Sequence, residues 1–210
     1  VNIAPTIISN HEILYNMKNN YQAWDIRISD FYQQLTERDR SIFLLRFAVL
    51  APSSHNSQPW RFEVGKGEIK IFLELARRLI ESDTNNRQAY ISLGCAIENI
   101  LIAADYYGYG TTIHYVSEYR EEAPAVIIKL IPNQKTKGDN NHLIFSIPQR
   151  ITNRNQYKDT MPSSEFLQRV SLLSQDDLKV YLVSGAITKN KLADVAVAAS
   201  IAAMEDKNFR

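Results

Sequence analysis

The chain of 210 residues carries 24 Lys and Arg against 23 Asp and Glu, and 45% of its residues are hydrophobic. This is the composition of an ordinary globular protein with a sizeable core. The net charge of +1 and the scattered basic residues give no basis for a nucleic-acid partner. The single cysteine, Cys95, excludes an intrachain disulfide and a cysteine-cluster metal site. No apolar run reaches the length of a membrane span, so we expect no membrane partner and a cytoplasmic location.

The first regular element is a helix predicted over residues 34–50, which have a broad apolar face with Thr36 as a plausible N-cap. Pro52 disfavours helix at the residue before it, so the helix is expected to end there. Residues 60–64 and 69–75 then alternate as two strands of a hairpin.

Residues 90–107 are apolar almost all round, which is typical of a buried helix at the centre of a domain or at an interface. Gly108 is expected to end this helix. Further strands are predicted at 111–117, 125–131 and 178–183, and further helices from Pro162 and over 187–204.

The order of these elements predicts an α+β fold, with helices packed on a mainly antiparallel sheet around a long buried central helix. Residues 132–141 form the one obvious linker. We predict an N-terminal extension over 1–33, a first half over 34–131 and a second half that begins at 142 and continues to 210. Because the chain starts without Met and stops directly after a helical pattern, we expect it to be part of a longer protein.

Residues 50–62, LAPSSHNSQPWRF, concentrate turn-forming polar residues in a chain with only seven Gly and seven Pro. Short side chains allow close approach of the backbone, and an Asn amide can both donate and accept. The segment therefore either presents N–H groups and hydroxyls to a planar polar ligand or forms an ordinary side-chain-capped turn. Composition alone favours the turn.

The sequence gives less support for a hydrolase site, a metal site or a phosphate-binding loop. Ser53, Ser54 and His55 are adjacent, and sequence neighbours rarely face each other as nucleophile and base; a Gly-x-Ser-x-Gly elbow is also missing. The four histidines lie far apart without metal-ligand spacing, so no metal is predicted. No glycine-rich phosphate loop is present.

Residues 51–62 resemble the flavin-binding signature of the FMN-dependent nitroreductase superfamily, in which a helix ends in Pro-Ser-Ser/Ala-x-Asn-x-Gln-Pro-Trp before a strand. Residues 150–154, Arg-Ile-Thr-Asn-Arg, resemble the family's second signature, Arg-x-Ser-x-Arg/Lys. Two guanidinium groups and a hydroxyl at alternate positions of an extended backbone can point at one phosphate. The cofactor-binding residues implied for FMN are Pro52, Ser53, Ser54, Asn56, Arg150, Thr152 and Arg154.

The order of the two motifs is reversed relative to ordinary family members, which are homodimers with each flavin between two chains. The chain therefore resembles a divergent branch in which two nitroreductase-like halves are fused as a pseudo-dimer. The resemblance implies an oxidoreductase in which NAD(P)H reduces FMN and a small-molecule acceptor, such as a nitroaromatic or a quinone, reoxidises it. It also implies that no catalytic side chain is needed. Two alternatives stay open: a flavin storage protein with a lidded site and little turnover, and an interaction domain whose flavin site has decayed.

Overall fold

The computed structural model describes residues 6–8, 22–116, 122–134, 139–158, 160–175 and 177–207. The chain divides into two compact units, Val1–Thr152 and Asn153–Arg210. Residues 135–138 of the predicted linker lie outside the described residues.

A five-stranded antiparallel sheet with the order β1-β2-β3-β5-β4 organises the first unit. Its strands are β1 (Thr6–Ile8), β2 (Trp60–Val64), β3 (Glu68–Leu73), β4 (Tyr109–Tyr115) and β5 (Val126–Pro132). The four strands predicted in this unit are confirmed, with small shifts of their bounds. Strand β1 has no counterpart in the sequence prediction, because three residues are too few to show a period. The α+β fold class is confirmed.

Strand β2 shows why the hairpin forms where the sequence indicated. Its buried positions alternate, so that Trp60, Phe62 and Val64 face the core. Gly67 takes a left-handed backbone with φ of 72° in the turn, a conformation that glycine adopts without steric cost. The turn and the alternation together fix which face of the strand is buried.

Helix α1 spans Glu37–Ala48. The Thr36 hydroxyl accepts a hydrogen bond of 3.0 Å from the backbone N–H of Asp39, which confirms the predicted N-cap. The helix ends at Ala48, two residues before the predicted end, and Pro52 follows shortly after.

Helix α2 spans Arg87–Tyr106 and is followed by Gly108 with φ of 80°, as expected for a residue just beyond a helix end. It packs against α1, β3, β4 and the short 3₁₀ helix Asp139–Phe145. The predicted burial of this helix is confirmed on one face, while Tyr90 and Ile91 are exposed on another. These neighbours cover one side only, which the composition of a helix cannot reveal.

Residues ahead of α1 pack on the same core. The Phe31 ring stacks on Tyr107 with a centroid distance of 3.8 Å, and the Tyr107 hydroxyl donates to the Ile28 carbonyl at 3.0 Å. Burial raises the pKa of Tyr107 above its ordinary value, so this hydroxyl stays protonated as a donor.

The second unit contains helix α3 (Ser164–Ser171) and helix α4 (Ala186–Glu205), close to the two helices predicted there. The Ser163 hydroxyl accepts from the backbone N–H of Phe166 at 3.2 Å and caps α3. The strand predicted at 178–183 is wrong: these residues have no regular structure, and no strand that could pair with them lies in the described part of this unit. None of its described residues is buried.

The one-sided burial of α2 can be tested with two isoleucines of the same helix. Ile100 is fully buried and Ile91 is 53% exposed. We expect Ile100→Ala to lower the free energy of unfolding by about 2–5 kcal/mol, because it removes packed methyl groups and leaves a cavity. The matched change Ile91→Ala should cost about 0.5 kcal/mol. Urea denaturation of both variants measures the difference, and equal losses would contradict the assignment of faces.

Candidate functional site

The polar segment predicted to bind a ligand forms a strained turn directly after α1. Backbone bonds of 3.0 Å run from Asn56 N to Ser53 O and from Ser57 N to Ser54 O. His55, Asn56 and Gln58 have φ values of 51°, 54° and 50°. A left-handed backbone costs a residue with a side chain about 1–2 kcal/mol, with Asn among the least affected. Such strain persists where the surrounding structure enforces it, and it is found most often at functional sites.

The hydroxyls of both predicted serines hold this turn in place. Ser53 Oγ accepts from the backbone N–H of Gln58 at 2.9 Å. Ser54 Oγ donates to Gln88 Oε1 at 2.6 Å, which ties the turn to the start of α2. Behind the turn, Trp60 is only 1% exposed and anchors the turn to the core. Both serines remain partly exposed, while Pro52 and Asn56 are exposed.

The start of α2 is itself fixed by a buried carboxylate. Asp83 is 6% exposed and accepts from the backbone N–H groups of Gln88 and Ala89, at 3.0 and 2.9 Å. These bonds satisfy donors that a helix start leaves without a partner. Neither Asp83 nor Gln88 was predicted from the sequence. The available signal was an Asp placed just ahead of a helix, since Asp is a common capping residue.

Arg150 joins the second predicted motif to the beginning of the turn. Its Nη2 donates to the Leu50 carbonyl at 3.2 Å, and its Nη1 donates to Thr152 Oγ1 at 3.3 Å. Leu50 O lies just past the end of α1, where carbonyls lack helical partners and a positive charge is favoured. The first unit therefore brings Arg150 and Thr152 to the Pro-Ser-Ser segment. Arg154 belongs to the second unit and is exposed.

The charge of Arg150 also affects the pKa of Cys95, the one cysteine of the chain. Cys95 is half-buried, and its burial raises the pKa of the thiol, while the positive charge of Arg150 lowers it. Burial prevails, so the pKa lies above its ordinary value. Cys95 is therefore mainly a neutral thiol at neutral pH.

The donors around the turn fit an anionic or carbonyl-bearing ligand such as FMN. Arg150 has a buried Nε–H without an acceptor among the described residues, and each of its Nη atoms keeps a second hydrogen. No cluster of three or more His, Cys, Asp or Glu that could hold a metal occurs in the described ranges.

Comparisons with known proteins found relatives over part of the chain. No family profile matches the chain. It is 28% identical over 117 residues to a Mycobacterium tuberculosis protein named "Putative NAD(P)H nitroreductase Rv3131", a match that covers 54% of this chain and 33% of that protein. It is 34% identical over 59 residues to "Putative NAD(P)H nitroreductase acg" from the same organism, covering 28% of this chain and 18% of that protein.

A third relative from this organism, "Uncharacterized protein Rv3127", is 38% identical over 68 residues, which are 29% of this chain and 20% of that protein. The matched part spans about a third of the length of the relatives with the longest of these matches. Two of these three relatives carry the name of a putative NAD(P)H nitroreductase, and that name describes those proteins. Among the helices that the structure describes, none has the length and hydropathy of a membrane span.

The pairing of Arg150 with Cys95 can be tested through the thiol. Replacing Arg150 by Met keeps much of the side-chain volume and removes the charge, so we expect the pKa of Cys95 to rise further, because the thiolate loses a positive neighbour. The pH dependence of alkylation by iodoacetamide reports this pKa, and Cys95 is the only thiol in the chain. The exposed Arg169→Met on α3 is the control. An unchanged midpoint in Arg150→Met would contradict the electrostatic effect of Arg150 on the thiol.

Proposed function

We propose that this chain is the flavin-binding part of an NAD(P)H-dependent oxidoreductase of nitroreductase type, with FMN as the cofactor. The observation that carries the proposal is the bond from Arg150 to the Leu50 carbonyl. It joins Arg150, the first residue of the arginine motif, to Leu50 at the start of the Pro-Ser-Ser segment, and both residues belong to the first unit. This arrangement favours a fused pseudo-dimer, in which one chain supplies both motifs, over a homodimer that divides them.

The bound flavin would accept a hydride from NAD(P)H and pass reducing equivalents to a nitroaromatic, quinone or related acceptor. The residues of this chain bind and orient it. Arg150 and Arg154 supply charge-assisted bonds to the phosphate, and Thr152 adds a hydroxyl. Ser53, Ser54 and Asn56 contact the polar edge of the ring or the ribityl chain, while Pro52 shapes the turn.

The strained turn suits this task because its conformation is set before any ligand arrives. The bonds from Ser54 to Gln88 and from Gln58 to Ser53 hold it on two sides. A site that is already ordered loses less conformational entropy on binding, so more of the contact energy appears as affinity. The flavin itself carries the redox chemistry, and no side chain of this chain is assigned as a general acid or base.

Titration of the purified chain with FMN tests the proposal, with absorption spectra and quenching of flavin fluorescence as readouts. We expect saturable binding and a shifted flavin band. Arg154→Ala should weaken FMN binding about 10- to 150-fold, because it removes one charge-assisted bond of about 1.5–3 kcal/mol. Riboflavin, which lacks the phosphate, should bind this variant as it binds the wild type. The exposed Arg169→Ala removes the same charge and should change neither affinity.

Arg150→Ala should weaken both ligands, and FMN more strongly, because Arg150 supports the turn through Leu50 as well as facing the phosphate. Equal weakening of FMN and riboflavin in both arginine variants would contradict the phosphate assignment. Addition of NADH or NADPH to the flavin-loaded protein should bleach the flavin band. A band that persists under excess NAD(P)H would instead favour a storage protein.

A further inference from the structure

Strand β4 (Tyr109–Tyr115) lies at one edge of the sheet, where β5 is the strand that pairs with it in the described part of the chain. Antiparallel strands bond through alternate residues, so every second residue of an edge strand points its N–H and C=O groups outward. Two bonds fix this alternation: Val116 N donates to Ala125 O at 3.0 Å, and Leu130 N donates to Gly67 O at 2.9 Å. Odd-numbered residues around β5 therefore bond to β4, and even-numbered residues bond to β3.

The outward-pointing residues along the exposed part of β4 are consequently Thr111, Ile113 and Tyr115, because each lies opposite an even-numbered residue of β5. The hydrogen bonds between described residues include none that uses the outward N–H and C=O groups of these three. Tyr115 is 66% exposed, while Thr111 and Ile113 are partly buried. A row of unpaired backbone groups on an edge strand is a template for pairing with a further strand.

Strand β4 also lacks the features that normally prevent such pairing. Edge strands are usually blocked by charged residues, by proline or by a β-bulge. The seven residues of β4, Tyr-Gly-Thr-Thr-Ile-His-Tyr, include no Asp, Glu, Lys, Arg or Pro, and their register with β5 is continuous. The inner strands β2, β3 and β5, which need no such protection, each carry Arg, Glu or Lys. The composition of β4 therefore permits a partner strand at this edge.

A second copy of β4 complements this edge. In the antiparallel register centred on Ile113, all three outward-pointing residues pair with one another: Ile113 with the partner's Ile113, and Thr111 with the partner's Tyr115. Apolar pairs and pairs of an aromatic with a β-branched residue are favourable on a sheet. On the opposite face, Thr112 lies across from the partner's His114. This register places no two like charges directly opposite each other.

We propose that β4 is a self-association edge, through which two copies of this chain pair their β4 strands antiparallel about Ile113 and join their sheets into one continuous sheet. The three residue pairs provide about six backbone hydrogen bonds between the chains. A contact made by one strand from each chain is small for a protein interface, so we expect a dimer with a dissociation constant in the micromolar range. The pairing leaves Arg150 bonded to Leu50 within each copy, so it does not depend on the proposed function.

Sedimentation velocity of the purified chain at several micromolar concentrations tests for the dimer. We expect the average sedimentation coefficient to rise with concentration from the monomer value to the dimer value. A chain that remains monomeric throughout this range would overturn the proposal, whatever else covers the edge.

Two double variants test the register. Thr111→Lys with Tyr115→Lys places two lysines opposite each other at both ends of the strand pair, so the dissociation constant should rise at least about tenfold. Thr111→Glu with Tyr115→Lys is the matched variant: it changes the same two positions but places opposite charges across the interface. It should dimerise at least about tenfold more tightly than the double-lysine variant. Equal dissociation constants for the two would overturn the register centred on Ile113.

Tyr115→Pro separates pairing through β4 from association elsewhere. The N–H of Tyr115 points away from β5, so proline at this edge position removes a bond to the partner and leaves the bonds to β5 in place. We expect the dissociation constant to rise at least about tenfold. Thermal unfolding confirms that each variant is folded at the temperature of the measurement. A dimer that tolerates this variant and both double variants unchanged would form through another surface, which would also overturn the proposal.

Discussion

The backbone carbonyls at the end of α1 are the constraint on which the site depends, because a helix leaves its last carbonyls without partners. The Phe47 carbonyl accepts from Asn99 Nδ2 at 2.9 Å, and the Leu50 carbonyl accepts from Arg150 at 3.2 Å. These bonds join α1 to α2 and to the segment that ends the first unit. The point where α1 ends is therefore fixed from two sides, and the strained turn starts from a defined position.

The turn has an unfavourable backbone conformation, but the residues on both sides of it are packed in the core. His55, Asn56 and Gln58 are left-handed, yet Pro59 and Trp60 beyond them are buried, and α1 before them is packed in the core. Burial of a large side chain contributes about 1.5–3 kcal/mol, so several buried side chains on the two sides of the turn together offset the cost of about 1–2 kcal/mol for each of the three left-handed residues. The strain is thus tolerated because both ends of the turn are held by hydrophobic packing.

The sequence predicted the elements better than their environment. Local signals such as the Thr36 cap, the hairpin turn and Gly108 were sufficient to locate α1, β2, β3 and the end of α2. The exposure of Ile91 could not be predicted, since periodicity shows that a helix is apolar but not which neighbours cover it. Residues 178–183 failed as a strand because strand formation depends on a partner. The bond between Ser54 and Gln88 joins residues 34 positions apart, which no local pattern reports.

Under the proposed function Arg150 has two electrostatic tasks, and the chemistry of its side chain lets it perform both. A guanidinium has five N–H donors spread over a plane, and it stays charged at any physiological pH. One Nη hydrogen satisfies the Leu50 carbonyl, while others remain for a phosphate. A lysine has three donors on one nitrogen atom, so the Leu50 carbonyl and the phosphate would both have to lie next to that single atom. An arginine at this position can therefore hold the turn and contact an anion at once, which makes Arg150, rather than either serine, the residue that links the two motifs into one site.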